Sequence, residues 1–141
     1  MRVGMRAFGV VVLWGVMLLA VAGAGAAQPP GPVLIPETPP GTPTAMFVDD
    51  PAIVNSYPTR PQAWSRTLDE RVLRLHFTTG TPECYGVTAT VDERDDEVLV
   101  DLRTGTLPQA VDRACIAIAL FGAVDVPLQQ PLGQRRVLSL T

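Results

Sequence analysis

The chain of 141 residues contains no lysine; all 11 of its basic residues are arginine. It has one histidine (His76), one asparagine (Asn55) and two cysteines (Cys84 and Cys115). Each shortage excludes a class of function. One histidine and two cysteines are too few for a zinc centre built from imidazole and thiolate ligands. Asn55-Ser56 is followed by Tyr57, so no asparagine sits in a glycosylation acceptor pattern. Acidic residues outnumber basic ones, 14 to 11, giving a net charge of -3 and no footprint for nucleic acid. Length excludes two full-sized domains or a repeat array and leaves room for one small domain with appendages. The abundance of Arg, Ala, Gly, Pro and Val reads as the codon bias of a G+C-rich genome.

What is present is unevenly distributed. Arg2 and Arg6 precede 21 uncharged residues, 7–27, which end in Ala22-Gly23-Ala24-Gly25-Ala26-Ala27. A positive start, an apolar centre and a small-residue exit define a secretory signal peptide, with cleavage after Ala26 or Ala27. The alternative is an uncleaved membrane anchor, since 21 apolar residues can span a bilayer. Neither cysteine directly follows this run, which excludes a bacterial lipoprotein. Removing residues 1–27 leaves 9 Arg against 14 acids, or -5.

Residues 28–44 form a proline-rich segment, with seven prolines in residues 28–43. Such a stretch favours extended polyproline conformation and predicts a stiff spacer reaching roughly 50 Å. A docking ligand, or glycosylation at Thr38, Thr42 and Thr44, is the alternative. Residues 45–66 carry Met46, Phe47, Val48, Ile53, Val54, Tyr57 and Trp64, too apolar for a linker. Pro51, Pro58 and Pro61 bar a continuous helix or central strand. An irregular strap over the domain is expected, or else a recognition strip with Tyr57 and Trp64 as anchors.

Residues 67–141 read as a small all-β domain: an antiparallel sheet or sandwich of about five strands. In residues 72–78, Leu73, Leu75 and Phe77 alternate with Arg74, His76 and Thr78, the mark of a half-buried strand. Val87, Ala89 and Val91 alternate in the next run, and Val98, Val100 and Leu102 in the third. Turn residues between these runs predict two successive hairpins, a meander. Residues 107–113 allow one helical turn, with Thr106 as cap and Pro108 near its start. Residues 115–126 are taken as one strand, bent or bulged at Gly122, with a last strand over 136–140. A helix over 108–121 on a four-stranded sheet is the runner-up.

Two cysteines in an exported chain make a Cys84–Cys115 disulfide the default. A closed loop of about 32 residues is worth roughly 3–4 kcal/mol in the chain-entropy account. Redox work is the alternative, and the spacing is not Cys-x-x-Cys. His76 falls on the outer face of a strand, where an exposed histidine is expected. A catalytic role would need a nucleophile and an orienting acid beside it. Asp92, Glu93, Asp95, Asp96 and Glu97 form the densest charge cluster. It lacks the interval and glycine of an EF-hand loop, so a solvated hairpin tip is expected rather than a calcium site.

Several stretches together resemble small exported two-cysteine proteins of actinobacteria, including mycobacteria. They are Leu75-His76-Phe77-Thr78-Thr79-Gly80, Glu83-Cys84-Tyr85-Gly86, Arg113-Ala114-Cys115, Val126-Pro127-Leu128 and Pro131-Leu132-Gly133-Gln134-Arg135. The resemblance covers residues 45–141, including Tyr57-Pro58-Thr59-Arg60 and Trp64. It implies export, the disulfide and a small β-domain, and nothing about chemistry.

These readings lead to an exported, non-catalytic binding module of the cell envelope or extracellular space. No catalytic residues, cofactor or metal are assigned. Tyr57, Arg60, Trp64 and His76 are the candidate interaction surface. The partner is an unknown protein or cell-wall component, with no nucleic acid, and a membrane only if residues 7–27 remain attached. A protease-inhibitor-like protein is the alternative, and it calls for an exposed rigid loop near the disulfide over 79–83. A small hydrolase comes third, and requires His76 beside a carboxylate and a hydroxyl.

Overall fold

The computed structural model describes residues 30–41 and 44–141. The expected signal peptide and its cleavage site lie outside the described residues. Among those described, no helix is long and apolar enough to cross a membrane. The chain is all-β, as its alternating runs require. It forms two mixed sheets joined by one disulfide, Cys84–Cys115.

Nine strands are described: β1 Val33–Leu34, β2 Ala45–Phe47, β3 Val54–Pro58, β4 Ala63–Arg66, β5 Val72–Thr79, β6 Tyr85–Glu93, β7 Glu97–Thr106, β8 Leu120–Pro127 and β9 Arg136–Ser139. The first sheet runs β1-β9-β7-β3, with β6 along the other side of β7; the second runs β2-β8-β5-β4. Most pairs are antiparallel, but β2 lies parallel to β8 and β7 parallel to β9. Their inner faces interdigitate as a sandwich core. Leu73, Leu75, Phe77, Val124 and Val126 come from one sheet, Val87, Val98, Val100, Leu102 and Val137 from the other.

The alternation of residues 72–78, 85–91 and 98–102 correctly marks which side chains face inward. The pairing differs from expectation. The β6–β7 hairpin forms, with continuous register from Tyr85↔Thr106 to Glu93↔Val98. The expected β5–β6 hairpin does not; β5 pairs with β4 and β8, and residues 80–84 carry the chain to the other sheet. Each strand buries one apolar face, so placing them in opposite sheets lets those faces cover each other.

The larger correction concerns residues 30–41 and 44–66. The expected spacer is built into the fold over residues 33–38. Val33 and Leu34 pair with β9, and the Ile35 N–H donates to the Val137 carbonyl at 3.0 Å. Ile35 is buried in the core. The chain then crosses to the edge of the other sheet. The Trp64 N–H donates to the Pro36 carbonyl (2.9 Å) and the Thr38 N–H to the Trp64 carbonyl (2.8 Å). On the opposite side, β2 borders β8, and the Asp50 N–H reaches the Val87 carbonyl on β6 at 2.8 Å. The expected irregular strap is therefore three edge strands, β2, β3 and β4. Proline is tolerated because an edge strand uses only alternate backbone groups on one side. Pro36 needs only its carbonyl, and the bonded N–H groups belong to its neighbours.

Gly122 is no bulge, since β8 runs in unbroken register from Leu120↔Thr79 to Pro127↔Val72. A Cβ there would lie 2.7 Å from the Phe47 ring, so glycine lets Phe47 cross β8 and meet Phe77 at 5.4 Å between centroids. The predicted helical turn is a 3-10 turn over Pro108–Ala110, and the runner-up helix over 108–121 is absent.

The acidic cluster is only partly a solvated tip. Asp95 and Asp96 are exposed, but Glu93 turns inward. Its carboxylate accepts the Gln129 and Gln130 N–H groups (2.5 and 3.2 Å) and the Arg135 guanidinium (2.9 Å). Arg135 also donates to the carbonyls of Gln130, Pro131 and Leu132. This is the structural content of the Pro-Leu-Gly-Gln-Arg stretch: it wraps one guanidinium. Burial pushes the Glu93 carboxyl up, but the Gln129 amide, Arg135 and Gln130 outweigh it, and its pKa falls below the ordinary value. Both side chains are nearly buried, 13% exposed for Glu93 and 10% for Arg135. Glu93→Ala leaves that guanidinium without its counter-charge and is expected to cost about 3–5 kcal/mol. Urea unfolding of the two proteins at pH 7 checks this.

Candidate functional site

The four residues expected to form a surface do not form one. Tyr57 is 55% exposed on β3, and Arg60 follows it, also exposed. Trp64 is buried beneath the Ile35 segment, where its indole N–H donates to the Ile35 carbonyl at 3.1 Å. Arg66 lies over the ring, 5.4 Å from its centroid. Trp64 is thus a core residue, and an anchor for an external partner cannot be built on it.

His76 departs most from expectation. It does lie on the outer face of its sheet, with Arg74, but it is 1% exposed. Phe121 stacks on the imidazole, 5.7 Å between centroids and 10° between planes. Ser65, across the strand pair on β4, places its hydroxyl 2.9 Å from Nε2. The histidine therefore has a hydroxyl neighbour, half of what a hydrolase needs. The other half is missing. Nδ1 has no hydrogen-bond partner among the described residues. The nearby carboxylate, Asp125, is held by Arg74 through two hydrogen bonds of 2.6 and 2.8 Å. Ser65 is itself 1% exposed, so no substrate reaches its oxygen in this structure. Ser65 and His76 form a buried polar pair, without the orienting acid that makes a serine nucleophile.

Burial lowers the His76 pKa, and the Arg74 charge lowers it further, against a smaller upward pull from Asp125. The sign for stability follows. Above the ordinary histidine pKa near 6.5 both folded and unfolded chains hold a neutral ring. As pH falls below it, the unfolded chain takes up a proton that the folded one refuses, so stability drops with pH. The loss is expected to approach about 1.4 kcal/mol per pH unit until the folded ring also titrates. Urea unfolding at pH 7.5 and 5.5 measures it, and His76→Gln removes that component.

The hollow lined by Arg66, Asp69, Arg74, Asp125, Pro40 and Gly41 has about 530 Å³, large enough for a small ligand. Its arginines are already occupied, Arg74 by Asp125, and Arg66 by Glu37 and the Gly133 carbonyl. Among the described residues no three acidic, histidine or cysteine side chains converge as a metal cage.

An exposed apolar feature lies beside the disulfide, but not at residues 79–83. There Thr79 and Thr81 are buried, the Cys84 and Tyr85 N–H groups both donate to the Thr81 carbonyl, and the Thr81 hydroxyl meets the Glu83 carboxylate. That turn is compact. Residues 111–119, on the other arm of the disulfide, stand out. Val111, Ile116 and Ile118 are 43%, 64% and 46% exposed, and Phe121 follows at 39%. Residues 114–119 run without helix, turn or bend. No backbone group of residues 116–119 makes a hydrogen bond among the described residues.

This corrects the expected strand over 115–126, which begins only at Leu120. The reason is geometric. β5 ends at Thr79, opposite Leu120, so earlier residues have no partner strand. Cys115 is meanwhile drawn toward Cys84 at the start of β6 in the other sheet. The periodicity-free run Cys115-Ile116-Ala117-Ile118-Ala119 marked this stretch as unusual, and only its tether could have revealed that it is unpaired.

No protein-family model, curated protein or solved structure matches the chain.

Proposed function

We propose that the chain is an exported, non-catalytic binding module of the cell envelope or extracellular space, and that residues 111–119 with Phe121 are its contact surface. The observation that carries this reading is an uncharged run of Ile and Ala, exposed and without backbone hydrogen bonds, directly beside the disulfide. Monomers seldom leave large apolar patches uncovered, and such patches mark contact sites. The disulfide suits an oxidising compartment, and the signal-like residues 1–27 supply a route there. Tyr57 and Arg60 remain exposed and can extend the contact at its margin. The partner is a protein or wall component, and a membrane only if residues 7–27 are retained.

Photocrosslinking tests this. A photoreactive side chain at Ile118 in the natively exported protein is expected to yield one discrete adduct, and the same group at Thr90 on β6 none. Equal labelling from both positions contradicts the assignment. So does hydrolytic turnover by the purified protein that Ser65→Ala abolishes.

A further inference from the structure

We propose that residues 111–119 enter the cleft of an extracellular elastase-type serine endopeptidase as an inhibitory strand, with the Ile116–Ala117 bond at the protease's reactive centre. This rests on the binding reading above and names its partner class. Three observations carry it.

The first is the unpaired backbone. Polypeptides recognised in extended form supply main-chain donors and acceptors to an edge, with alternate side chains in pockets. Residues 116–119 offer free groups of both kinds. The same groups argue against insertion into lipid, where an unsatisfied amide is costly.

The second is how the segment is held. On its N-terminal side, the Leu107 N–H donates to the Cys84 carbonyl (2.8 Å), Ala110 is buried, the Arg113 N–H donates to the Ala110 carbonyl (3.1 Å), and Cys115 is bonded to the buried Cys84. On its C-terminal side, β8 pairs with β5 from Leu120 onward. Anchoring at both ends leaves the segment fewer conformations to lose on binding than a free loop. Anchoring also separates an inhibitor from a substrate. The protease serine oxygen bonds to the Ile116 carbonyl carbon, the Ile116–Ala117 bond breaks, and the serine proton passes through the protease histidine to the Ala117 amine. Here neither fragment can leave. The Ile116 side is tied through Cys115 to Cys84, and the Ala117 side through β8. The retained amine attacks the acyl carbon, reforms the peptide bond and returns the proton to the serine.

The third is composition. Ile116 is the most exposed large side chain of the strip, and it is flanked by Cys115 and Ala117 with no charge nearer than Arg113. Small aliphatic side chains suit the shallow specificity pocket of elastase-type enzymes, whereas trypsin-type pockets carry a buried carboxylate for a basic one.

The test is titration of the disulfide-intact protein into an elastase-type and a trypsin-type protease, each with a chromogenic peptide. One-to-one inhibition of the elastase-type enzyme is expected. Ile116→Arg should weaken it by roughly 30-fold or more and create inhibition of the trypsin-type enzyme. The variant changes an exposed residue, and circular dichroism confirms that it folds. A Cys84→Ser/Cys115→Ser double variant should become a substrate, cut within 111–119. Three results overturn the proposal: no inhibition by either protein, rapid cutting of the disulfide-intact chain, or a dimer of the chain that buries the strip. An Ile118 crosslink to a partner that is not a protease would overturn it while leaving the binding module standing.

Discussion

The fold depends on two edge closures made by a proline-rich segment. A sandwich of open sheets presents unpaired strand edges, which proteins must cover or blunt. Here residues 33–38 and 45–50 cover one edge region on each side. The first run pairs with β9 and moves to β4 through the Pro36 and Trp64 carbonyls; the second borders β8 and ends on β6. Each crossing carries a large apolar side chain into the core: Ile35 and Trp64 at one side, Phe47 at the other. Residues 67–141 alone would lack these three and expose both edges. A domain of that size has little core to spare.

This closure explains why the surface sits where it does. Trp64 becomes a wedge beneath Ile35, and His76 is sealed on the outer face of its sheet against Phe121 and Ser65. Trp64 and His76, which look functional in the sequence, are thus consumed by packing. Residues 114–119 stay uncovered, a stretch with no charged side chain held outside both sheets by a covalent tether. Its apolar character reflects neither core position nor strand pairing, and the proposed binding role would account for it.

The sequence made some of this legible. Alternation correctly assigned the inward faces of β5, β6 and β7, the β6–β7 hairpin and the all-β class, and cysteine arithmetic identified the disulfide. The failures share one physical cause: long-range pairing leaves no local trace. Proline counting reads the segment holding Pro36 as a polyproline spacer, yet its link to β4 needs only the Pro36 carbonyl. Alternation puts His76 on an outer face but cannot say that this face is covered. The run 115–121 has strand composition, and only the end of β5 at Thr79 decides where pairing stops. The candidate site was displaced for the same reason, since the arm of the disulfide that is exposed depends on which sheet each cysteine joins.

Native-state amide hydrogen exchange tests both halves of the account in one measurement. The amides of Ile35, Thr38, Asp50 and Trp64 are predicted to exchange only with global unfolding, as slowly as those in the middle of β5, while residues 116–119 exchange at nearly the rate of an unfolded chain. Fast exchange at Ile35 and Thr38, together with protection at 116–119, would contradict it. The N-terminal segment would then be a spacer after all, and the exposed strip a strand.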